Sequence, residues 1–109
     1  MEDIISLYRA VGAEEFYDII QTKRFSVLPN WVNVKYFGLD FKETLSFANK
    51  NINLGIVAIF EVRVPKNILI ETGDFTHVDP FIFKSGTVEI PEIYLDKFNN
   101  AICELIHRY

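Results

Sequence analysis

The chain has 109 residues, a net charge of −4 from 11 basic and 15 acidic side chains, and one cysteine. This length sets a single domain, residues 1–109, as the expectation. The lone Cys103 excludes an internal disulfide and a thiolate metal site, and the lack of any Lys/Arg-rich run excludes non-specific nucleic-acid binding, which needs clustered positive charge.

Half the residues are hydrophobic and 15% are aromatic, which argues for a folded core rather than disorder. Met1-Glu2-Asp3 is acidic and no apolar h-region follows it. No stretch approaches roughly 18 consecutive apolar residues. A cytoplasmic protein without a membrane span is therefore expected.

In chain order, the short apolar run Ile4 to Val11 predicts a first strand, broken by Gly12. Ala13 to Thr22 carries Phe16, Ile19 and Ile20 at helical spacing, with Glu14 and Glu15 in the first turn complementing the helix dipole. Phe25 to Asn33 holds Pro29, Asn30 and Asn33 and reads as a loop, with Trp31 and Val32 turned inward. Val34 to Leu39 predicts a second strand. Asp40 then caps a helix from Phe41 to about Asn49, with Glu43 at the capping-box position.

Leu54 to Val64 is the clearest strand. Ile56, Ala58, Phe60, Val62 and Val64 share one face, and the other turns polar at Glu61 and Arg63, so its end is expected to be half exposed. Pro65 stops it. Asn67 to Glu71 reads as a further strand, Thr72-Gly73-Asp74 as a turn, Phe81 to Phe83 as a brief pairing segment and Thr87 to Ile90 as the last strand. Pro91 opens a closing helix presenting Leu95, Phe98, Ile102, Leu105, Ile106 and Tyr109 on one side, with Cys103 buried on its apolar face. The order β, α, β, α, β, β, β, α implies an α+β domain with a mixed or split sheet.

Much chemistry is missing. The sequence has no P-loop, no GxGxxG, no serine-hydrolase elbow, no histidine pair at metal-ligand spacing and no carboxylate cluster of the divalent-ion type, so no metal is expected.

What remains sits at the strand ends. Leu7-Tyr8-Arg9-Ala10-Val11, then Glu14, Glu15, Phe16, Ile19, Ile20 and Thr22-Lys23-Arg24-Phe25, resembles the opening of small bacterial ADP-ribosyltransferase-like domains of the polymorphic-toxin type. Asn33-Val34-Lys35-Tyr36-Phe37 with Glu43-Thr44-Leu45 and Phe47-Ala48 continues the likeness. Tyr36-Phe37 with Ala48 is also similar to the Gly-x-Tyr-Phe-Ala segment of poly-ADP-ribose polymerases, and Asp79, Ser85-Gly86-Thr87-Val88-Glu89 and Leu95-Asp96-Lys97-Phe98-Asn99 are similar to the group's closing strand and helix.

The resemblance implies an ADP-ribosyltransferase-like split mixed β-sheet with two or three helices around an NAD cleft. NAD is implied as substrate, with no metal. The family carries an Arg or His on its first strand, a Ser or Tyr on its second and a Glu on a late strand; Arg9, Tyr36 and Glu89 match. Arg9, beside Tyr8, is then implied to anchor pyrophosphate or a ribose hydroxyl through its planar fork. Tyr36 is implied to stack on nicotinamide with Phe37 behind it, or the two exchange roles. Glu89 is implied as the catalytic residue that holds the nicotinamide ribose and stabilises the charge developing as nicotinamide leaves, with Glu92 as a rival if the register differs.

Thr87 stands where many protein-modifying members carry Glu or Gln two positions before the catalytic Glu, and no Ser-Thr-Ser motif marks the second strand. The chain thus sits nearer the His-Tyr-Glu branch, with Arg9 in place of His. Two functions are open: an NAD-dependent ADP-ribosyltransferase or NAD glycohydrolase acting as a toxin or defence effector on a macromolecular acceptor, protein or nucleic acid, met by a cognate antitoxin or immunity protein; or a small acidic, non-catalytic immunity-type module that neutralises a basic partner.

Overall fold

The computed structural model describes residues 3–27 and 34–109. Pro29, Asn30, Trp31, Val32 and Asn33 of the expected loop lie outside the described residues. The α+β class holds. The elements run β1 (Ile4–Gly12), α1 (Ala13–Thr22), β2 (Val34–Gly38), α2 (Phe41–Lys50), a 3₁₀ turn at Ile52–Leu54, β3 (Ile56–Pro65), α3 (Lys66–Thr72), β4 (Asp74–Thr76), β5 (Thr87–Pro91), α4 (Glu92–Asn100) and β6 (Glu104–His107).

The six strands form one sheet in the order β4-β5-β2-β1-β3-β6. Every pairing among the described residues is antiparallel, so the sheet is not mixed, and four helices accompany it rather than two or three. It nevertheless has a seam. β1 pairs with β3 along its whole length, and β2 with β5 along its whole length, yet β1 and β2 meet at one register position, Tyr8 opposite Gly38. The two halves diverge beyond it.

The described elements from β1 to α2 form where their pattern predicts. Gly12 ends β1 and starts α1, whose last turn closes when the left-handed Lys23 (φ 59°) returns its N–H to the Ile19 carbonyl at 2.8 Å. Asp40 accepts the Glu43 N–H at 3.0 Å and starts α2 as a side-chain cap. Glu43 does not complete the box; its carboxylate takes the Ser85 N–H and hydroxyl instead.

The second half departs from expectation in four places. Residues 66–72 form a helix, not a strand: extended Pro65 serves as its N-cap, and Leu69 and Thr72, three apart, are its buried residues. Phe81 to Phe83 pairs with nothing; the segment is a turn in which the Asp79 carbonyl accepts the N–H groups of Ile82 and Phe83, and β4 takes the sheet edge. The closing helix ends at Asn100, and the chain reverses into β6 against β3. Cys103 consequently lies exposed in the connection, sharing no helix with His107. Finally, Glu61 is 1% exposed, not half exposed. Burial alone pushes its carboxyl up, but hydrogen bonds from Ser6 and Arg63 and the charges of Arg63 and Arg108 hold it below the usual range.

The main core lies between one face of the sheet and α1, α3 and α4. Leu7, Val62, Val64, Val88, Ile90, Ile19, Leu69 and Phe98 are fully buried there. Phe25, Phe37 and Phe98 meet ring to ring, with centroids 5.1, 5.4 and 6.2 Å apart. Asn99 fastens this cluster: its side chain accepts the Phe25 N–H at 2.9 Å and donates to the Phe25 carbonyl at 2.8 Å. Asn99→Ala leaves a buried donor and acceptor unpaired and is expected to cost about 2–4 kcal/mol, read as a lowered urea midpoint.

Candidate functional site

The seam opens a cleft of about 250 Å³ on the sheet face opposite the main core, lined by both halves of the sheet. Its floor is β1 at Tyr8 and Ala10 and β2 at Tyr36 and Gly38; α2 supplies Thr44 and Phe47; the turn before β5 supplies Val78, Asp79 and Phe83. The Phe47 and Phe83 rings lie 5.4 Å apart and close one wall. The Glu43–Ser85 hydrogen bonds tie that turn to α2.

Gly38 is what lets these elements converge. A Cβ there would collide with Thr44 Oγ1 and approach the Phe83 ring to 3.0 Å. Gly38→Ala is expected to lose about 1–3 kcal/mol and to displace Phe83 into the cleft, so urea unfolding and ligand affinity should fall together.

Thr44 sits one turn into α2, buried, its hydroxyl donating to the Asp40 carbonyl at 2.9 Å. The oxygen keeps acceptor capacity for a ligand N–H.

The residues singled out in the sequence divide between two faces. Tyr36 of β2 and Glu89 of β5 are directly opposed in register and so share the cleft face. The Tyr36 phenol is raised above its usual range, chiefly through hydrogen bonding with the opposed Glu89 carboxylate, then through some burial and that carboxylate's charge. Glu89 is half-buried and lies across from Tyr36 on that sheet face, without itself lining the cleft. Tyr8 reaches the cleft from β1 with its ring edge-on to Phe41.

Phe37 turns the other way. It is 1% exposed, with its ring in the Phe25–Phe98 cluster, so Tyr36 faces the cleft and Phe37 packs behind. Glu92 is exposed at the start of α4, beside a shallow depression that also includes Arg24 and Asp96. The register therefore pairs Glu89, not Glu92, with Tyr36.

Arg9 lies at the seam with its guanidinium engaged. Nε and Nη2 donate to Glu15 at 2.6 and 2.9 Å, and Nη1 donates to the Tyr36 carbonyl at 2.8 Å. Lys35, 1% exposed, approaches the same Glu15 carboxylate at 3.6 Å. Burial lowers its ammonium below the ordinary lysine range, partly offset by Glu15. Arg9, Lys35 and Glu15 also border a separate open groove of about 580 Å³ with Gly12, Leu54 and Gly55.

Sequence reading missed Thr44, Phe47, Phe83 and Glu15. The first two are three residues apart on α2, a spacing that reads as an ordinary apolar stripe. Glu15 reads as a dipole-complementing residue, yet it is 6% exposed and turned toward the sheet. Among the described residues no group of three or more His, Cys, Asp or Glu side chains could hold a metal ion, and no helix is long and apolar enough to cross a membrane. Comparison with known protein families, curated proteins and solved structures finds no match to this chain.

Proposed function

We propose that the chain is an NAD-consuming enzyme, an ADP-ribosyltransferase or NAD glycohydrolase, working as a toxin or defence effector on a macromolecular acceptor. The observation that carries it is the direct register opposition of Glu89 and Tyr36, the latter lining an aromatic-walled cleft at the sheet seam. The first-strand Arg, second-strand Tyr and late-strand Glu of the family signature fall on three neighbouring strands, β1, β2 and β5. Of the three, Tyr36 and Glu89 share a sheet face, and Arg9 reaches the Tyr36 carbonyl from the other.

The cleft is too small for a whole dinucleotide and of a size for a nicotinamide ring with part of its ribose. On this reading Tyr36, Phe47 and Phe83 enclose the ring, and Thr44 Oγ1 accepts a carboxamide N–H. NAD supplies a ribose C1′–nitrogen bond whose cleavage sends the electron pair to neutral nicotinamide and leaves positive charge on the ribose. Glu89 stabilises that charge, and the Tyr36 hydroxyl fixes the carboxylate that does so. Water or an acceptor nucleophile then bonds to C1′ and gives up its proton. The first outcome is hydrolysis and the second is transfer.

A titration of isotope-labelled protein with NAD tests the site. Resonances of Ala10, Tyr36, Thr44 and Phe47 are expected to shift together at sub-millimolar to millimolar NAD. Shifts confined to other surfaces, or none, would remove the NAD reading and leave the acidic binding module.

A further inference from the structure

We infer that Arg9, together with Glu15, is a positioning clasp that sets Tyr36 against Glu89, and is not the ligand of a phosphate. This assignment rests on the cleft being an NAD site, and it gives the first-strand arginine a different task there from the one the resemblance implies.

The argument begins at the seam. β1 and β2 share one register pair, Tyr8 with Gly38. Past it, the backbone ladder gives Tyr36 no β1 partner. The Arg9 side chain supplies one, donating from Nη1 to the Tyr36 carbonyl at 2.8 Å. A long side chain alone would be a loose strut. Glu15 removes that freedom by taking Nε and Nη2 in a bidentate fork at 2.6 and 2.9 Å. α1, β1 and β2 are thereby tied at one point. Lys35, next to Tyr36 on β2, approaches the same carboxylate at Oε2, 3.6 Å away. Glu15 thus holds both strands that border the cleft.

Three of the five guanidinium N–H donors are spent on these partners. The guanidinium carbon also stands 6.0 Å from the centroid of the buried Phe37 ring, on the core side of β2. A diphosphate seeking the fork would have to displace a 6% exposed carboxylate that is bonded to it at charge-assisted distances. The Tyr36 side chain lies on the opposite face, the one it shares with its register partner Glu89. Fixing the carbonyl of Tyr36 fixes where that phenol points.

The test compares Arg9→Met, Arg9→Lys and Glu15→Gln with wild type, and adds Arg9→Met/Glu15→Met, which removes one charge of each sign for the case where a single variant does not fold. Folding is checked by circular dichroism. Three readouts follow: nicotinamide release from NAD split into kcat and KM, ADP-ribose affinity by calorimetry, and titration of the Tyr36 ring by NMR. The clasp predicts that Arg9→Met and Glu15→Gln both lower kcat about tenfold or more with KM within about twofold. Arg9→Lys, which keeps the charge but loses the fork, does not rescue. ADP-ribose affinity changes by less than about threefold, and the Tyr36 phenol titrates closer to an ordinary tyrosine in every folded variant.

The proposal is overturned if Arg9→Met weakens ADP-ribose binding about tenfold or more while Glu15→Gln and the Tyr36 titration stay at wild type. A wild type that neither binds ADP-ribose nor releases nicotinamide defeats the NAD reading; the clasp then stands or falls on the Tyr36 titration alone.

Discussion

Glu89→Gln is expected to lower the rate of nicotinamide release from NAD by about a hundredfold or more, with KM within about twofold of wild type. The substitution keeps size and hydrogen-bonding capacity and removes the negative charge. That charge matters only as positive charge develops on the ribose, so its loss appears in turnover and not in ground-state binding. The same variant has a second, independent signature. The Tyr36 phenol is held above its usual range first by its bond to Glu89. A neutral amide partner no longer opposes ionisation electrostatically, so the phenol's titration should move down toward that of a free tyrosine. A Glu89→Gln protein with wild-type turnover would show that Glu89 is not the catalytic group. Unchanged Tyr36 titration would show that the pair is not formed in solution.

The largest stability loss is expected from Phe98→Ala. Phe98 is fully buried, and its ring meets both Phe25 and Phe37 where α4 packs against the sheet. Removing it costs the transfer free energy of a large ring plus the cavity it leaves, about 3–5 kcal/mol. Domains of this size hold on the order of 5–15 kcal/mol in total, so the variant should sit close to unfolding. Urea denaturation should show a much lower midpoint with an unchanged slope. Ile93→Ala is the contrast on the same helix. Ile93 is 80% exposed, and its loss should stay within about 0.5 kcal/mol. Equal effects from the two would mean that α4 does not present its Phe98 face to the core.

The elements β1, α1, β2 and α2 were legible because each announces its own limits. Gly12 breaks β1, Asp40 caps α2, and the strand and helix periods do not overlap. Legibility fails where a short apolar run fits both periods. Residues 67–71 are apolar enough for a strand, and only the turn after Pro65 and the burial of Leu69 and Thr72 decide for a helix. Residues 102–109 satisfy a helical stripe as well as they satisfy a strand. The helix nevertheless ends at Asn100, and the Cys103 N–H bonds to the Arg63 carbonyl as the chain turns back along β3. That outcome depends on a free edge of β3 some forty residues away, which no local window contains. β4 was missed for the same reason: three residues carry no period, and their strand state comes from β5.

The candidate site divides in the same way. Tyr36 and Glu89 could be read in order along the chain, but their direct opposition is a property of β2–β5 register. Thr44 and Phe47 carry no motif, and only the packing of α2 over Gly38 turns them into a wall. Glu15 sits in a helix first turn, where a carboxylate needs no further explanation. Its burial against Arg9 and Lys35 is decided by how α1 lies on the sheet.

The central claim is that the cleft holds nicotinamide and Glu89 drives its departure, and the most direct measurement is free nicotinamide released from NAD by the purified protein, with and without candidate macromolecular acceptors. The account predicts release that depends on enzyme concentration and is abolished in Glu89→Gln. No release with any acceptor or with water, or release of equal rate from Glu89→Gln, would contradict it.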